Sequence, residues 1–167
     1  WEPRCTECPL QNICLAHKNG RMQDYPVKSK AKARRMEDKT ILVIQDGNKV
    51  ILRKRPKTGL LAGMYEFPNL EGHLTAEQVI VYLSESGLQP LHIKPLQDSK
   101  HIFSHKEWHM IGYAVRVDEL EPKSVTENTK DWIFIEPART EKEYPIPSAF
   151  AAYVPYLNIK LGKDHFN

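Results

Sequence analysis

All three cysteines of the chain fall within its first fourteen residues, in the run Cys5-Thr6-Glu7-Cys8-Pro9-Leu10-Gln11-Asn12-Ile13-Cys14. The spacing is C-x2-C-x5-C. A loop this short lets the sulfurs turn inward toward one centre, and thiolates are what zinc and iron–sulfur clusters take as ligands. An odd number of cysteines at this density is not a disulfide framework. It indicates metal ligation in a reducing compartment, the cytoplasm. Three thiolates are one short of the usual four ligands. His17 follows Cys14 with spacing C-x2-H and closes a Cys3His zinc site in one completion. In the other, a fourth cysteine lies upstream of Trp1. The chain opens on Trp1-Glu2-Pro3 without a Met, which suggests a fragment.

A second group of reactive side chains lies far along the chain, at His101-Ile102-Phe103-Ser104-His105-Lys106-Glu107-Trp108. The residues after it alternate: Ile111, Tyr113, Val115 and Val117 share one face, and Trp108, Met110, Gly112 and Ala114 the other. A period of two predicts a strand. With Leu96 to Ile102 leading in, the pair makes a hairpin whose tip is Phe103-Ser104-His105. No Gly, Pro, Asn or Asp marks the reversal, so local turn chemistry does not account for it. One reading has Phe103 capping the core beside solvated polar residues; the other gives the tip a binding role. His101, His105 and His109, four residues apart, would share a helix face and bind zinc there. Strands scatter them across a turn, and the period-two run favours strands.

The elements around these groups follow from pattern. Residues 15–37 show little hydrophobic periodicity and carry a basic run, Lys28, Lys30, Lys32, Arg34 and Arg35, which reads as a solvated linker able to touch phosphate. Ile41-Leu42-Val43-Ile44, the turn Asp46-Gly47-Asn48 and the return Val50-Ile51-Leu52 predict a hairpin. Thr75 with Gln78 three residues on is a capping box; Val79, Ile80, Tyr82 and Leu83 give the buried stripe, and Gly87 ends the helix. Glu119 to Lys130 is polar and reads as a loop, followed by the short strand Trp132 to Ile135. A last helix starts at Pro147, with Phe150, Val154, Leu157 and Leu161 at helical spacing and Pro155 kinking it.

The chain has 167 residues, 41% hydrophobic and 27% charged, with a net charge of +3 and a pI near 8.7. These values fit one domain with appendages and permit, without requiring, a nucleic-acid partner. No apolar run approaches membrane-spanning length, and no signal-peptide pattern opens the chain.

Three signatures, in order, carry a resemblance. Cys5, Cys8 and Cys14 are similar to the last three ligands of the C-x6-C-x2-C-x5-C set that holds a 4Fe-4S cluster in endonuclease-III-like DNA glycosylases. That spacing puts the first ligand two positions before residue 1. The segment Gly59-Leu60-Leu61-Ala62-Gly63-Met64-Tyr65-Glu66-Phe67-Pro68 resembles the opening of the C-terminal domain of the MutY adenine glycosylases, whose fold is similar to the Nudix hydrolase MutT. Phe103-Ser104-His105 resembles the loop with which that domain inspects 8-oxoguanine opposite the target adenine.

The resemblance implies an α+β, Nudix-like fold with a mixed sheet flanked by helices. It divides the chain into a cluster-loop remnant at 1–14, a linker at 15–37 and a recognition domain at 38–167. Tyr65 and Phe67 are expected in the core. The parent would remove adenine mispaired with 8-oxoguanine, with its catalytic carboxylates in an N-terminal domain outside this chain. Double-stranded DNA carrying the lesion and that catalytic domain are the implied partners, and a monomer is expected. Phe103, Ser104, His105 and Lys106 are the expected contacts: Phe103 as a wedge, His105 and Lys106 on phosphate. Ser104 suits the lesion, because 8-oxidation turns the N7 acceptor into a donor and adds a carbonyl, and a hydroxyl both accepts and donates.

Nudix hydrolysis is not implied. The working box, G-x5-E-x7-R-E-U-x-E-E-x-G-U, uses its glutamates to hold divalent metal. Aligned on Gly87, Ile80 and Val81 stand where Arg and Glu belong, and Ser84 and Glu85 where the Glu pair belongs. One carboxylate of three cannot assemble that site. A degenerate Nudix module binding a nucleotide or a protein is the alternative, and it would have no need of the cysteine set.

Overall fold

The computed structural model describes residues 2–27, 33–118, 129–140 and 142–158. The chain divides into two compact units, Trp1–Ala33 and Arg34–Asn167.

The first unit is built from single turns: 3-10 turns at Cys5–Glu7 and Met22–Asp24 and one helical turn, α1, at Leu15–Lys18. None of these buries a residue, and Leu10, Ile13 and Leu15 are exposed. The expected linker 15–37 is therefore not featureless, and its last three residues belong to the second unit's sheet. Lys28, Lys30 and Lys32 of the basic run lie outside the described residues.

The second unit is an α+β domain around a mixed sheet. Its strands are β1 (Arg35–Gln45), β2 (Val50–Lys54), β3 (Tyr65–Glu66), β4 (Asn69–Glu71), β5 (Pro90–Ile102), β6 (Lys106–Val117) and β7 (Trp132–Ile135). The main order is β3-β2-β1-β6-β5, with β4 pairing β1 and β7 pairing β2. β1 and β6 run parallel and stay in register from Arg35 opposite Lys106 to Gln45 opposite Arg116; the other pairings are antiparallel.

Both faces of the sheet are covered, and the alternation along the strands decides what meets what. Ile41 and Val43 of β1, Val50 and Leu52 of β2, and Trp108 and Met110 of β6 join one cluster with Phe67, Phe150, Tyr153 and Leu157. Leu42 and Ile44, Ile51, and Val115 and Val117 join the other with Val79, Leu83 and Leu88. The second cluster is the seat of helix α2 (Ala76–Glu85), which starts on the expected capping box of Thr75 and Gln78. Val79 and Leu83 are buried as expected, whereas Ile80 lies toward solvent and Tyr82 is partly buried. A ten-residue helix on a flat sheet buries a narrow stripe, and positions 79 and 83 fill it.

The expected C-terminal helix is replaced by two 3-10 segments, Ser148–Phe150 and Val154–Asn158, with turns between them. Pro155 lacks the amide that the interior of a continuous α-helix would need, and it stands instead at the second position of a new 3-10 segment, where an amide would have no intrahelical acceptor. Phe150 and Leu157 still reach the core, joined by Tyr153, whose hydroxyl donates to the Met110 carbonyl at 3.1 Å. Leu161 lies outside the described residues, as do 119–128 of the expected polar loop.

Candidate nucleic-acid interface

The β5–β6 hairpin pairs His101 with Trp108 and Ile102 with Glu107, and the Phe103 amide donates to the Lys106 carbonyl at 2.8 Å. Ser104 and His105 are thus left as a two-residue tip, and both are exposed. Their side chains meet, with Ser104 Oγ 3.3 Å from His105 Nδ1. Phe103 points away from the tip and back into the fold. Its ring lies edge-on to His101 at 4.6 Å and to Trp108 at 4.8 Å between centroids, and it packs against the first core cluster. In this structure Phe103 is a core cap, which is the first of the two readings its sequence allowed.

Lys106 is only 30% exposed, and its ammonium donates to Glu37 Oε1 at 2.7 Å. The other Glu37 oxygen accepts from Trp108 Nε1 at 3.0 Å. The Lys106 hydrogen bond, then that from Trp108, holds the Glu37 carboxyl below its ordinary range, against the opposing effect of burial. The main chain adds a further tie, since the Arg35 amide donates to the His105 carbonyl at 3.2 Å. Beside these ties a cleft of about 480 Å³ is lined by Arg35, Glu37, Lys39, Glu71, Gly72 and Lys106.

Behind the tip, Trp108 is the hub. It is 2% exposed, with the Lys39 ammonium 5.0 Å and the Arg55 guanidinium 5.7 Å from its ring centre. Burial lowers the Lys39 pKa, which nearby Glu37 and Glu66 partly offset. Glu66 is fully buried and accepts from Arg53 at 3.0 and 2.6 Å and from Arg55 at 2.5 Å. Gly59 and Gly63, with φ of 90° and 72°, give the tight turns that bring Glu66 back beside β2. Tyr65 and Phe67 pack in the core as expected, edge-on to Tyr144 and Phe150 respectively. Sequence reasoning missed both Glu37 and Glu66 as organising residues. Glu37 stands between Arg35 and Lys39, which is a weak hint, whereas Glu66 lies among apolar residues with no cation beside it, and their partners lie up to 71 residues away.

The remaining histidines have local duties. His101 packs edge-on against Phe103, and His109 Nε2 lies 2.8 Å from Glu107 Oε1, which Lys100 also approaches at 3.3 Å. Hydrogen bonds from His109 and Lys100 lower the Glu107 pKa. Among the described residues no group of three His, Cys, Asp or Glu side chains is gathered to hold a metal ion. The cysteines are free thiols there, Cys8 exposed and Cys5 and Cys14 partly so. His17 turns Nε2 to Gln11 at 3.2 Å and leaves Nδ1 buried without a partner, so the Cys3His arrangement is not assembled. On α2, Val81 and Ser84 are exposed and carry no acid, and Ser84 Oγ donates back to the Ile80 carbonyl at 2.9 Å.

Fold and sequence together define the class: the chain belongs to the NUDIX domain family, which matches residues 40–155. Within it, the chain is similar to adenine DNA glycosylases. It is 26% identical over 132 residues to that of Buchnera aphidicola from Schizaphis graminum, covering 78% of this chain and 37% of the relative. With that of Arabidopsis thaliana it shares 30% identity over 133 residues, covering 62% of this chain and 21% of the relative. The chain therefore spans about a third or less of the curated relatives it matches. Among solved structures, the C-terminal domain of mouse MUTYH, crystallised with human PCNA, matches with a TM-score of 0.53 at 20% identity, over 72% of this chain and 86% of that one. The likeness to that domain is one of fold.

Proposed function

We propose that this chain is the lesion-reading part of an adenine DNA glycosylase, and that it recognises 8-oxoguanine opposite adenine in double-stranded DNA. The observation that carries the reading is the tip itself. Ser104 and His105 are exposed side by side on a hairpin whose base is tied to β1 by Arg35 and Glu37. A two-residue reversal on a braced hairpin can enter a groove with little loss of conformational entropy. Ser104 accepts from N7–H of the lesion and donates to O8, which guanine cannot reciprocate in the same way. His105 contacts phosphate as a donor. Phe103 serves mainly to brace the tip through Trp108, and any wedging by its ring requires it to leave that contact.

The similarity to adenine DNA glycosylases supports the choice of ligand, and the absent acids on α2 argue against pyrophosphate chemistry. In this reading adenine excision by N-glycosidic hydrolysis belongs to a catalytic domain outside the chain, and the chain alone releases no adenine. Cys5, Cys8 and Cys14 would be three ligands of a 4Fe-4S cluster once a fourth thiolate joins them. Such a cluster would fold and stiffen a unit that buries almost nothing by itself.

The test is to titrate the chain with two duplexes that differ only in 8-oxoguanine or guanine opposite adenine, and to assay both for adenine release. Tighter binding of the lesion without release supports the reading. Equal affinity for the two duplexes contradicts it.

A further inference from the structure

Lys106 stands next to the tip and carries the charge that a backbone-reading loop would aim at phosphate. Its ammonium is aimed elsewhere, at Glu37. Glu37 binds two residues of β6 at once, Lys106 through one oxygen and Trp108 through the other. These lie on either side of Glu107, so the carboxylate spans the first turn of the pleat after the tip. Glu37 is 20% exposed, and the neighbouring Arg35 side chain, 3.5 Å from the same Oε1, is 78% exposed. Resting on the recognition role proposed above, we propose that Glu37 is a positioning residue for the tip. Its carboxylate clamps the start of β6 to β1 and withholds the Lys106 ammonium from DNA phosphates. The tip is then biased toward reading a base rather than the backbone.

Two consequences separate this from a merely structural ion pair. Removing the charge while keeping the shape should release Lys106 toward DNA. Glu37→Gln should therefore bind every duplex more tightly at low salt, with a salt slope about one unit steeper, or roughly 3.5-fold more affinity lost between 50 and 200 mM. Its preference for 8-oxoguanine over guanine should fall, because the added affinity is blind to sequence. A structural pair alone would cost stability and leave the salt slope unchanged.

The experiment measures the salt slope and the lesion preference for the wild-type chain, Glu37→Gln, and Glu37→Gln combined with Lys106→Gln. Hydrogen exchange at the Phe103 and Arg35 amides, which tie the tip, and at the Trp108 indole is followed in the same variants and in Glu37→Ala. The proposal expects a steeper slope in Glu37→Gln that the second substitution largely reverses. It also expects Trp108 indole exchange to be little changed in Glu37→Gln but at least tenfold faster in Glu37→Ala. An unchanged slope in Glu37→Gln, with wild type preferring the lesion, overturns the clamp and leaves the recognition role standing. If the wild-type chain binds neither duplex, the recognition role fails. The clamp is then judged by exchange alone, and tip and indole protection unaltered in Glu37→Ala overturns it.

Discussion

The ring of Tyr153 occupies the space that a side chain on Gly112 would need: a Cβ built there lies 2.4 Å from Tyr153 Cε1. The contact holds the turn between the two C-terminal 3-10 segments on the middle of β6, two residues beyond the carbonyl to which the Tyr153 hydroxyl donates. Gly112→Ala is expected to destabilise the domain by about 1–3 kcal/mol, because the ring is fully buried and has nowhere to retreat. Denaturant unfolding of the variant checks this, and a loss within 0.5 kcal/mol, the scatter of surface changes, would contradict it.

The same tyrosine makes stability sensitive to alkali. Burial pushes its pKa up to about 12, with the Asp98 charge adding to the shift. The unfolded chain releases that proton near pH 10 and the folded chain does not, so the unfolded state binds fewer protons in that window. Stability should therefore be lost as pH rises from about 10 to about 12, by at most roughly 3 kcal/mol from this group. Tyr153→Phe should flatten that part of the profile in thermal melts, at the cost of the hydrogen bond to Met110.

Glu66 holds two arginines from a position with no exposure. Removing the acid leaves Arg55, 17% exposed, facing the core side of the pair without a counter-charge. Glu66→Ala is expected to cost about 3 kcal/mol, the lower part of the range for breaking a buried pair, since Arg53 can still reach water. Equilibrium unfolding measures it. Glu66→Gln should be milder, because the amide oxygen still accepts from one arginine.

Phe103→Ala should lower stability by about 1–2 kcal/mol, the loss of an edge-on aromatic contact together with partial burial. A melt indistinguishable from wild type would mean that the ring is not held against Trp108 in solution.

How much of this was legible in the chain varies by element. The hairpin could be read because Trp108 to Val117 alternates without interruption, and its tip because two expected strands meet across the polar residues Ser104 to Glu107, although no turn-forming residue marks the reversal. The start of β1, where Arg35 to Glu37 fall in the expected linker, could not. Arg35 to Thr40 alternate too, but nearly all are charged or polar, since this half of the strand lines an open cleft rather than the core. Polar alternation looks like linker. The bracket on Glu37 and the buried Glu66 pair were beyond reach for another reason: both depend on the parallel and antiparallel registers that bring distant strands together. The C-terminal segment departs from the expected helix because Phe150, Val154 and Leu157 have helical spacing, while the packing of Tyr153 and the missing amide of Pro155 divide it into two short 3-10 pieces.

The α2 sequence also makes a negative expectation. With Val81 and Ser84 in place of acids, the chain should release no pyrophosphate from nucleoside triphosphates, 8-oxo-dGTP included, at any divalent metal concentration. Metal-dependent release at a rate typical of Nudix enzymes would show that another set of groups does the work.

Lesion reading by the hairpin tip depends on Ser104, and one measurement addresses it directly. Wild type and Ser104→Ala are titrated with matched duplexes carrying 8-oxoguanine or guanine opposite adenine, at fixed salt. Ser104 is exposed and makes no contact with the core, so the substitution should leave the melt unchanged. The preference for the lesion should shrink by roughly 1–3 kcal/mol, about fivefold to more than a hundredfold, while affinity for the undamaged duplex stays the same. Full lesion preference in Ser104→Ala would contradict this role.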